Sequence, residues 1–485
     1  MQPYAQVAET HSGLVVMVGD RAYKTKRPVV TDFLDFSTRE RREAALRREL
    51  ELNARLAPQA YLGIGTFDGV ESGEGEPVLV MQRYPDETRL ATRVRRGADG
   101  LPADLNAVAE ILADFHTGAA RGPRIDDAGR LCAVTARWDA NIAELGAFTD
   151  DVVPAELVAR IAELAHRYLA GRAVLFAERI ADRRIVDGHA DLLADDIFCG
   201  AGTPVLLDCL DFDDKLRFVD GLDDAACLAM DLEFLGRPDL AAEFLARYCG
   251  HAADRAPESL RHFYIAYRAV MRGKVDCIRY RQGHAAAKAD ALAHLELGEA
   301  HLRAATVRLV LVGGGPGTGK TTLARALAAD VGARVISTDD VRRELLRDGV
   351  IEGDPGSLDT GLYSAANVAA VYTAVLRQAR IWLGAGHSVI LDGTWLDPAH
   401  RRAAEETAQA ARAGLVELEC VAPLEHARVR IATRTNTTSD ATGAIAGAIA
   451  ERREGRTWPG ATQVDTTRPP AESLAQARER CAAVR

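Results

Sequence analysis

The chain has 485 residues, 48% hydrophobic and 27% charged, which is too long for one ordinary core and fits a folded protein of roughly two to four domains, outside the disordered and collagen-like classes. Its net charge of −10 is uneven: residues 301–485 hold 23 Lys and Arg against 21 Asp and Glu, and residues 1–300 hold 37 against 49, so broad phosphate-neutralising adhesion to nucleic acid is not expected of the first part. The eight cysteines form no C-x-x-C pair and no His/Cys cluster, which points away from a zinc site or a disulfide framework.

The opening residues MQPYAQVAETHSG lack a basic stretch followed by an apolar one, and no run approaches the ~18 apolar residues of a membrane helix, so a cytoplasmic protein without a membrane partner is expected. Residues 14–30 (LVVMVGDRAYKTKRPVV) read as two strands around a Gly-Asp turn. From Ser37 to Leu56 helix formers place Ala45, Leu46, Leu50 and Leu56 on an amphipathic helix, and Val78 to Met81 reads as a buried strand. Residues 103–118 and 154–171 carry Ala and Leu at helical spacing, and a strand pair, RIVDGHADLL then TPVLLDCLDF, lies between helical regions. Residues 253–305 read as long helices. After Thr306 the segments VRLVLV, GGGPGTGK, TTLARALAAD, ARVIST and SVILD alternate strand, loop and helix, which predicts a parallel sheet with crossover helices.

Gly314, Gly315, Pro316, Gly317, Thr318, Gly319, Lys320 and Thr321 spell G-x-x-x-x-G-K-[ST] between an apolar strand and a helix opened by Thr322. Glycines there let backbone N–H groups curl round the β- and γ-phosphates of a nucleoside triphosphate, while Lys320 bridges them and the Thr321 hydroxyl ligates Mg²⁺. Asp392, ending the strand VILD, is the second metal-organising acid, directly or through water. Asp339 and Arg342 follow another strand, where a carboxylate can take a proton from an attacking hydroxyl and an arginine can fix the acceptor. This segment, about 306–470, resembles the P-loop small-molecule and polynucleotide kinases. The resemblance implies Asp339 as base, Arg342 as acceptor-binding residue, and Arg430 with Arg434 as lid arginines on one helical face.

Gly188-His-Ala-Asp191 with Asp196, followed from Leu206 by LLDCLDFDD, resembles the aminoglycoside phosphotransferase-like kinases. The resemblance implies Asp191 as catalytic carboxylate, Asp208 as Mg²⁺ ligand and Asp211 as a second metal or substrate acid. It also implies Lys24 as the strand lysine on the α- and β-phosphates, Lys26 as its reserve, Glu49 as the ion-pair partner and His11-Ser-Gly as a nucleotide cover. Two departures stand out: Ala190 replaces the family's glycine, and Asp196 its metal-binding asparagine. Tyr264, Arg268 and Arg272 share a helical face that either lines an acceptor pocket or makes surface ion pairs, and His116 and His166 read as core or surface histidines.

Nearly the whole chain resembles bacterial two-domain proteins that join these two modules. The expected fold is α+β then α/β: a bilobal protein-kinase-like domain over 1–300 (small lobe about 1–100, helical lobe about 101–300) and a P-loop NTPase parallel-sheet domain over 301–485. The implied function is an ATP- and Mg²⁺-dependent phosphotransferase acting on a hydroxyl of a sugar, aminoglycoside or nucleoside-like molecule. The alternative is a C-terminal polynucleotide or nucleoside kinase with a non-catalytic, ligand-sensing N-terminal domain; a nucleic-acid acceptor is left open and not favoured.

Overall fold

In the computed structural model, residues 4–9, 13–30, 35–68, 75–354, 359–433, 443–453 and 458–483 are described. The chain forms two compact units: Met1–Ala162 with Phe176–Ala256 and Arg261–His301, and Leu302–Arg485 with the short pieces Glu163–Leu175 and Pro257–Leu260.

The first unit opens with an antiparallel sheet of five strands in the order β1-β2-β3-β5-β4, where β1 is Ala5–Glu9, β2 Gly13–Val18, β3 Arg21–Lys26, β4 Tyr61–Phe67 and β5 Glu76–Gln82. The expected turn between β2 and β3 holds Gly19 at φ +59, a left-handed backbone that glycine adopts without cost. The helix Arg39–Asn53 starts where the Thr38 hydroxyl accepts the Arg41 N–H, and it turns Leu46, Glu49, Leu52 and Asn53 inward. Leu46 packs with Tyr61, Leu79 and Phe198 in the core of this sheet. β1 and β4 were not among the expected strands: β1 is almost wholly exposed, and β4 carries two glycines, so neither shows apolar alternation.

The rest of the unit is mostly helical, built round Gly221–Phe234, a helix buried along nearly its whole length. The expected strand pair is corrected. β6 (Ile185–Asp187) pairs with β9 (Phe218–Asp220), and β7 (Ile197–Phe198) pairs with β8 (Val205–Leu206). The segment 184–193 cannot continue as a ladder strand, because the N–H groups of His189 and Ala190 both donate to Asp224, at 2.6 and 2.7 Å.

The second unit contains the expected parallel sheet, five strands in the order β11-β12-β10-β13-β14. β10 is Arg308–Gly313, β11 Arg334–Ser337, β12 Val389–Asp392, β13 Gly414–Val421 and β14 Thr462–Asp465. Covered on both faces, β10 and β12 are continuous apolar runs. Val310, Val312, Ile390, Val416 and Leu418 pack against Leu323 and Leu327 of the helix Lys320–Val331. The central position of β10 sets its C-terminal end at the switch in strand order, where open α/β sheets hold ligands.

Candidate functional site

In the second unit the glycine-rich segment links β10 to the helix Lys320–Val331. Gly314, Gly317 and Gly319 sit at φ +143, +74 and +83, and a Cβ on Gly317 would lie 2.5 Å from the Ala427 carbonyl oxygen. Only glycine fits that backbone and that space. No side chain of the described residues caps the helix at Gly319, which leaves its first N–H groups for an anion. Lys320 Nζ donates to the Gly315 carbonyl at 2.9 Å, and Thr321 Oγ1 donates to Asp392 Oδ2 at 2.6 Å. Burial, with the like charge of Asp339 adding to it, holds the Asp392 carboxyl above its ordinary range even though Lys320 and Thr321 pull the other way.

These groups line one cavity of about 1180 Å³ together with Pro316, Gly317, Gly319, Thr322, Asp339, Arg342 and Arg430. Arg342 Nη1 donates to Asp339 Oδ1 at 2.6 Å, and its guanidinium lies over the Tyr363 ring at 4.6 Å. Arg430 donates to the Thr466 carbonyl at 2.6 Å and to the Gly317 carbonyl at 3.4 Å, so it braces the phosphate loop. Arg434 lies outside the described residues. Sequence reasoning missed Tyr363, Thr394, Thr466 and the stacked pair Tyr372–His400, whose ring centroids are 4.0 Å apart. Single aromatic and hydroxyl residues scattered over several helices and turns carry no motif.

In the first unit, Glu49 is 1% exposed and receives two ammonium groups: Lys24 Nζ at 2.7 Å and Lys26 Nζ at 2.9 Å. Each lysine also reaches a carboxylate of the later segment, Lys24 to Asp208 at 2.7 Å and Lys26 to Asp211 at 2.9 Å. Burial opposes the charge on Lys24, but Asp208 and Glu49 hold its ammonium well above the ordinary range; Asp208 in turn is held low, chiefly by Lys24. Tyr61 and Asn53 fix the turn, since the Asp208 N–H donates to Tyr61 Oη at 3.1 Å and the Cys209 N–H to Asn53 Oδ1 at 2.8 Å. Thus β3, the helix Arg39–Asn53 and the segment after β8 bring together five residues far apart in sequence. His11 and Ser12 lie outside the described residues.

The loop carrying Asp191 is held from behind. Asp224 accepts the His189 and Ala190 N–H groups, and its Oδ2 bonds His116 Nε2 at 2.9 Å. Arg268 Nη1 donates to the Ala190 carbonyl at 2.6 Å, and Arg272 Nη1 lies 3.8 Å from Asp191 Oδ1. The face of Tyr264, Arg268 and Arg272 therefore makes ion pairs and hydrogen bonds in the interior: Tyr264 donates to Asp220 at 3.2 Å and Arg268 to Asp223 at 2.7 Å. His116 is a core histidine, and His166 is exposed.

Ala190 stands at φ +72, where its Cβ costs roughly 1–2 kcal/mol. Part of that gain would be returned as the extra unfolded-chain freedom of glycine, so Ala190→Gly is expected to stabilise the first unit by about 0.5–1 kcal/mol in a urea titration. Asp196 is displaced upward, first by burial and then by the charges of Asp208 and Asp191. A carboxyl with a raised folded pKa favours folding below its unfolded pKa of about 3.9 and loses that contribution as pH rises through the folded value. Asp196→Asn is therefore expected to raise the melting temperature at pH 7, with no advantage below about pH 4, in thermal melts of the two proteins run side by side.

Oxygen donors of this kind suit Mg²⁺, which is usually held by one or two carboxylates and the substrate's phosphates. Thr321 with Asp392, and Asp208 with Asp196, are the residues that would hold it. Among the described residues no group of three or more His, Cys, Asp or Glu side chains forms a self-sufficient metal cage. Nor does any described helix have the length and apolarity to cross a membrane.

Comparison with known proteins gives one domain match: residues 309–457 fit the AAA_33 model, described as an AAA domain. Among solved structures, the chain is similar to a choline/ethanolamine kinase family protein from Mesorhizobium loti (15% identity, 62% of this chain and 93% of that one, TM-score 0.38). It is also similar to a sugar kinase from Janibacter sp. HTCC2649 (18% identity, 36% of this chain and 94% of that one, TM-score 0.28). Curated relatives match far more closely: "Uncharacterized protein Rv2004c" of Mycobacterium tuberculosis and "Uncharacterized protein Mb2027c" of Mycobacterium bovis are each 54% identical over 478 residues, 98% of this chain and 95% of theirs. With that identity along nearly its whole length, the chain belongs to the family of the mycobacterial protein Rv2004c.

Proposed function

We propose that the protein is an ATP-dependent phosphotransferase that moves the γ-phosphoryl group to a hydroxyl of a small molecule. The observation that carries this reading is a single cavity holding both Lys320 and the Thr321–Asp392 bond on one side and the Asp339–Arg342 pair on the other. Lys320 and the N–H groups at the head of its helix bind and orient the phosphates, and Arg342 orients the acceptor. Asp339, whose Oδ1 is taken by Arg342, accepts the hydroxyl proton on its other oxygen as the acceptor oxygen bonds to the γ-phosphorus and ADP leaves. Mg²⁺, when bound, supplies neutralisation of the phosphate charge. Arg430 keeps the phosphate loop in place, and the lid arginines would add positive charge as the phosphoryl group transfers.

The first unit supports a second site of the same class, with Lys24 and Lys26 on the phosphates, Glu49 holding both, and Asp191 as the carboxylate at the acceptor. A specific feature favours a different reading for it, a ligand-sensing module without turnover: Asp196 adds a carboxylate beside Asp208 and Asp191, which repels a triphosphate. The test is a ³¹P or mass-shift assay of the full chain with ATP, Mg²⁺ and pooled sugars, aminoglycosides, nucleosides and short oligonucleotides. A phosphorylated small molecule is the expected result; product only from oligonucleotides, with steep salt dependence, would replace it by a nucleic-acid end kinase. Asp191→Asn, run in parallel, leaves every product unchanged if the first unit only senses ligand.

A further inference from the structure

We propose that the first unit carries a binding site for a compact phosphate-class anion, in a cavity of about 420 Å³ distinct from the Lys24–Asp191 site. Its walls include Arg121, Arg179, Arg183, Arg184, His116 and Tyr248. A cavity this basic is unexpected in a chain whose residues 1–300 carry 37 Lys and Arg against 49 Asp and Glu.

Arg179 is already neutralised: it forms two bonds of 2.7 Å to Asp220 and two of 2.6 Å to Asp254, which takes Asp254 out of the balance as well. Three guanidiniums remain, facing Asp182 in the lining and Asp126 farther off. Arg121 is fixed by carbonyl groups, donating to His116 at 2.6 Å, Ala119 at 2.9 Å, Arg183 at 3.0 Å and Thr117 at 3.1 Å. Arg184 donates to the Ala252 and Ala253 carbonyls, both at 2.9 Å. Those carbonyls lie at the C-terminal ends of three helices, Leu101–Gly118, Ala173–Ala181 and Pro238–His251, whose partial charges of about −0.5 each offset about half of the charge of the three cations.

Two details go beyond helix capping. Arg184 Nε is buried and has no hydrogen-bond partner among the described residues, a cost normally avoided. Arg183 stands at φ +56, a strained conformation for a residue with a Cβ, and makes no ion pair with any described carboxylate. Arg121 is held below the ordinary guanidinium range, by burial first and then by the charges of Arg183 and Arg184, so the cations repel one another across the cavity. A phosphate oxygen set removes that repulsion and accepts forked N–H bonds from guanidinium groups. The volume, near the lower end of the usual 300–1,000 Å³ for ligand sites, suits free phosphate, pyrophosphate or a small phosphomonoester.

The test uses the full chain carrying Lys24→Ala and Lys320→Ala, which removes one phosphate-binding ammonium group from each of the two proposed nucleotide sites. Titration calorimetry with orthophosphate, pyrophosphate and glycerol phosphate at constant ionic strength is expected to show one site per chain for at least one of them. The tightest of the three identifies a free anion or an ester. Adding Arg183→Glu is expected to weaken that binding at least tenfold; its side chain is exposed, so folding is preserved, and Arg183→Ala serves if the melting temperature falls. No heat with any of the three, or binding unchanged by both Arg183 variants, overturns the proposal.

Discussion

Lys320→Ala is expected to cut ATP turnover by the second unit about 10²–10³-fold, the usual effect of deleting one preorganised charge from a phosphoryl-transfer site. The loop itself should survive, because its shape is set elsewhere: by the left-handed glycines, by Arg430 on the Gly317 carbonyl and by Thr466 Oγ1, which donates to the Thr318 carbonyl at 2.7 Å. What is lost is an ammonium group that donates to the Gly315 carbonyl at 2.9 Å. Steady-state ADP release, measured with Asp191→Asn present so that the first unit cannot contribute, separates the cases. Turnover within twofold of the Lys320 protein would remove the phosphate loop from the proposed function; a thousandfold fall with an unchanged melting curve would support it.

Asp224→Ala is expected to destabilise the first unit by about 3–5 kcal/mol, the scale for removing one partner from a buried charged network. The carboxylate lies in the interior and takes the His189 N–H, the Ala190 N–H and His116 Nε2 at once. Its removal leaves two backbone donors without an acceptor in a region closed to water. Burial alone would raise this carboxyl, but the bond and charge of His116, with help from His189 and Arg268, hold it below the ordinary carboxylate range. A depressed folded pKa contributes stability above the unfolded value of about 3.9 and loses it as pH falls through the folded value. Urea titrations at pH 7 and pH 3 should therefore show the gap between the two proteins narrowing in acid. Equal stability at pH 7 would mean that the loop is held by other bonds, with Arg268 on the Ala190 carbonyl the foremost of them.

Much of the second unit was legible in order along the chain. A motif with three left-handed glycines, one lysine and one threonine is local: each residue is required by its own backbone angle or by a phosphate a few ångströms away, so spacing carries the information. The same holds for β10 and β12, whose unbroken apolar runs follow from burial on both faces. β13 went unread although GLVELECV alternates Glu417 and Glu419 with apolar residues in the period-two pattern of a half-buried strand, and the short β14 gives almost no pattern at all.

In the first unit, sequence marked the residues but not the bonds between them. Lys24, Lys26, Glu49, Asp208 and Asp211 could be picked out by type and order, and Gly188 by its place before His189. Only the folded chain puts both lysines on Glu49 and fills the space of a Gly188 Cβ with Asp224 Oδ2, 2.4 Å away. Asp224 and His116 carry no signal, because a buried Asp in a helix of apolar residues is recognisable only by what it accepts from a loop 34 or 35 residues earlier. Local backbone chemistry was thus determined by the amino-acid order alone, since it acts over a few residues. The long-range charge pairing and the correct partners of β6 and β8 were decided by tertiary packing, because desolvation makes a buried polar group find an acceptor wherever the fold brings one within reach.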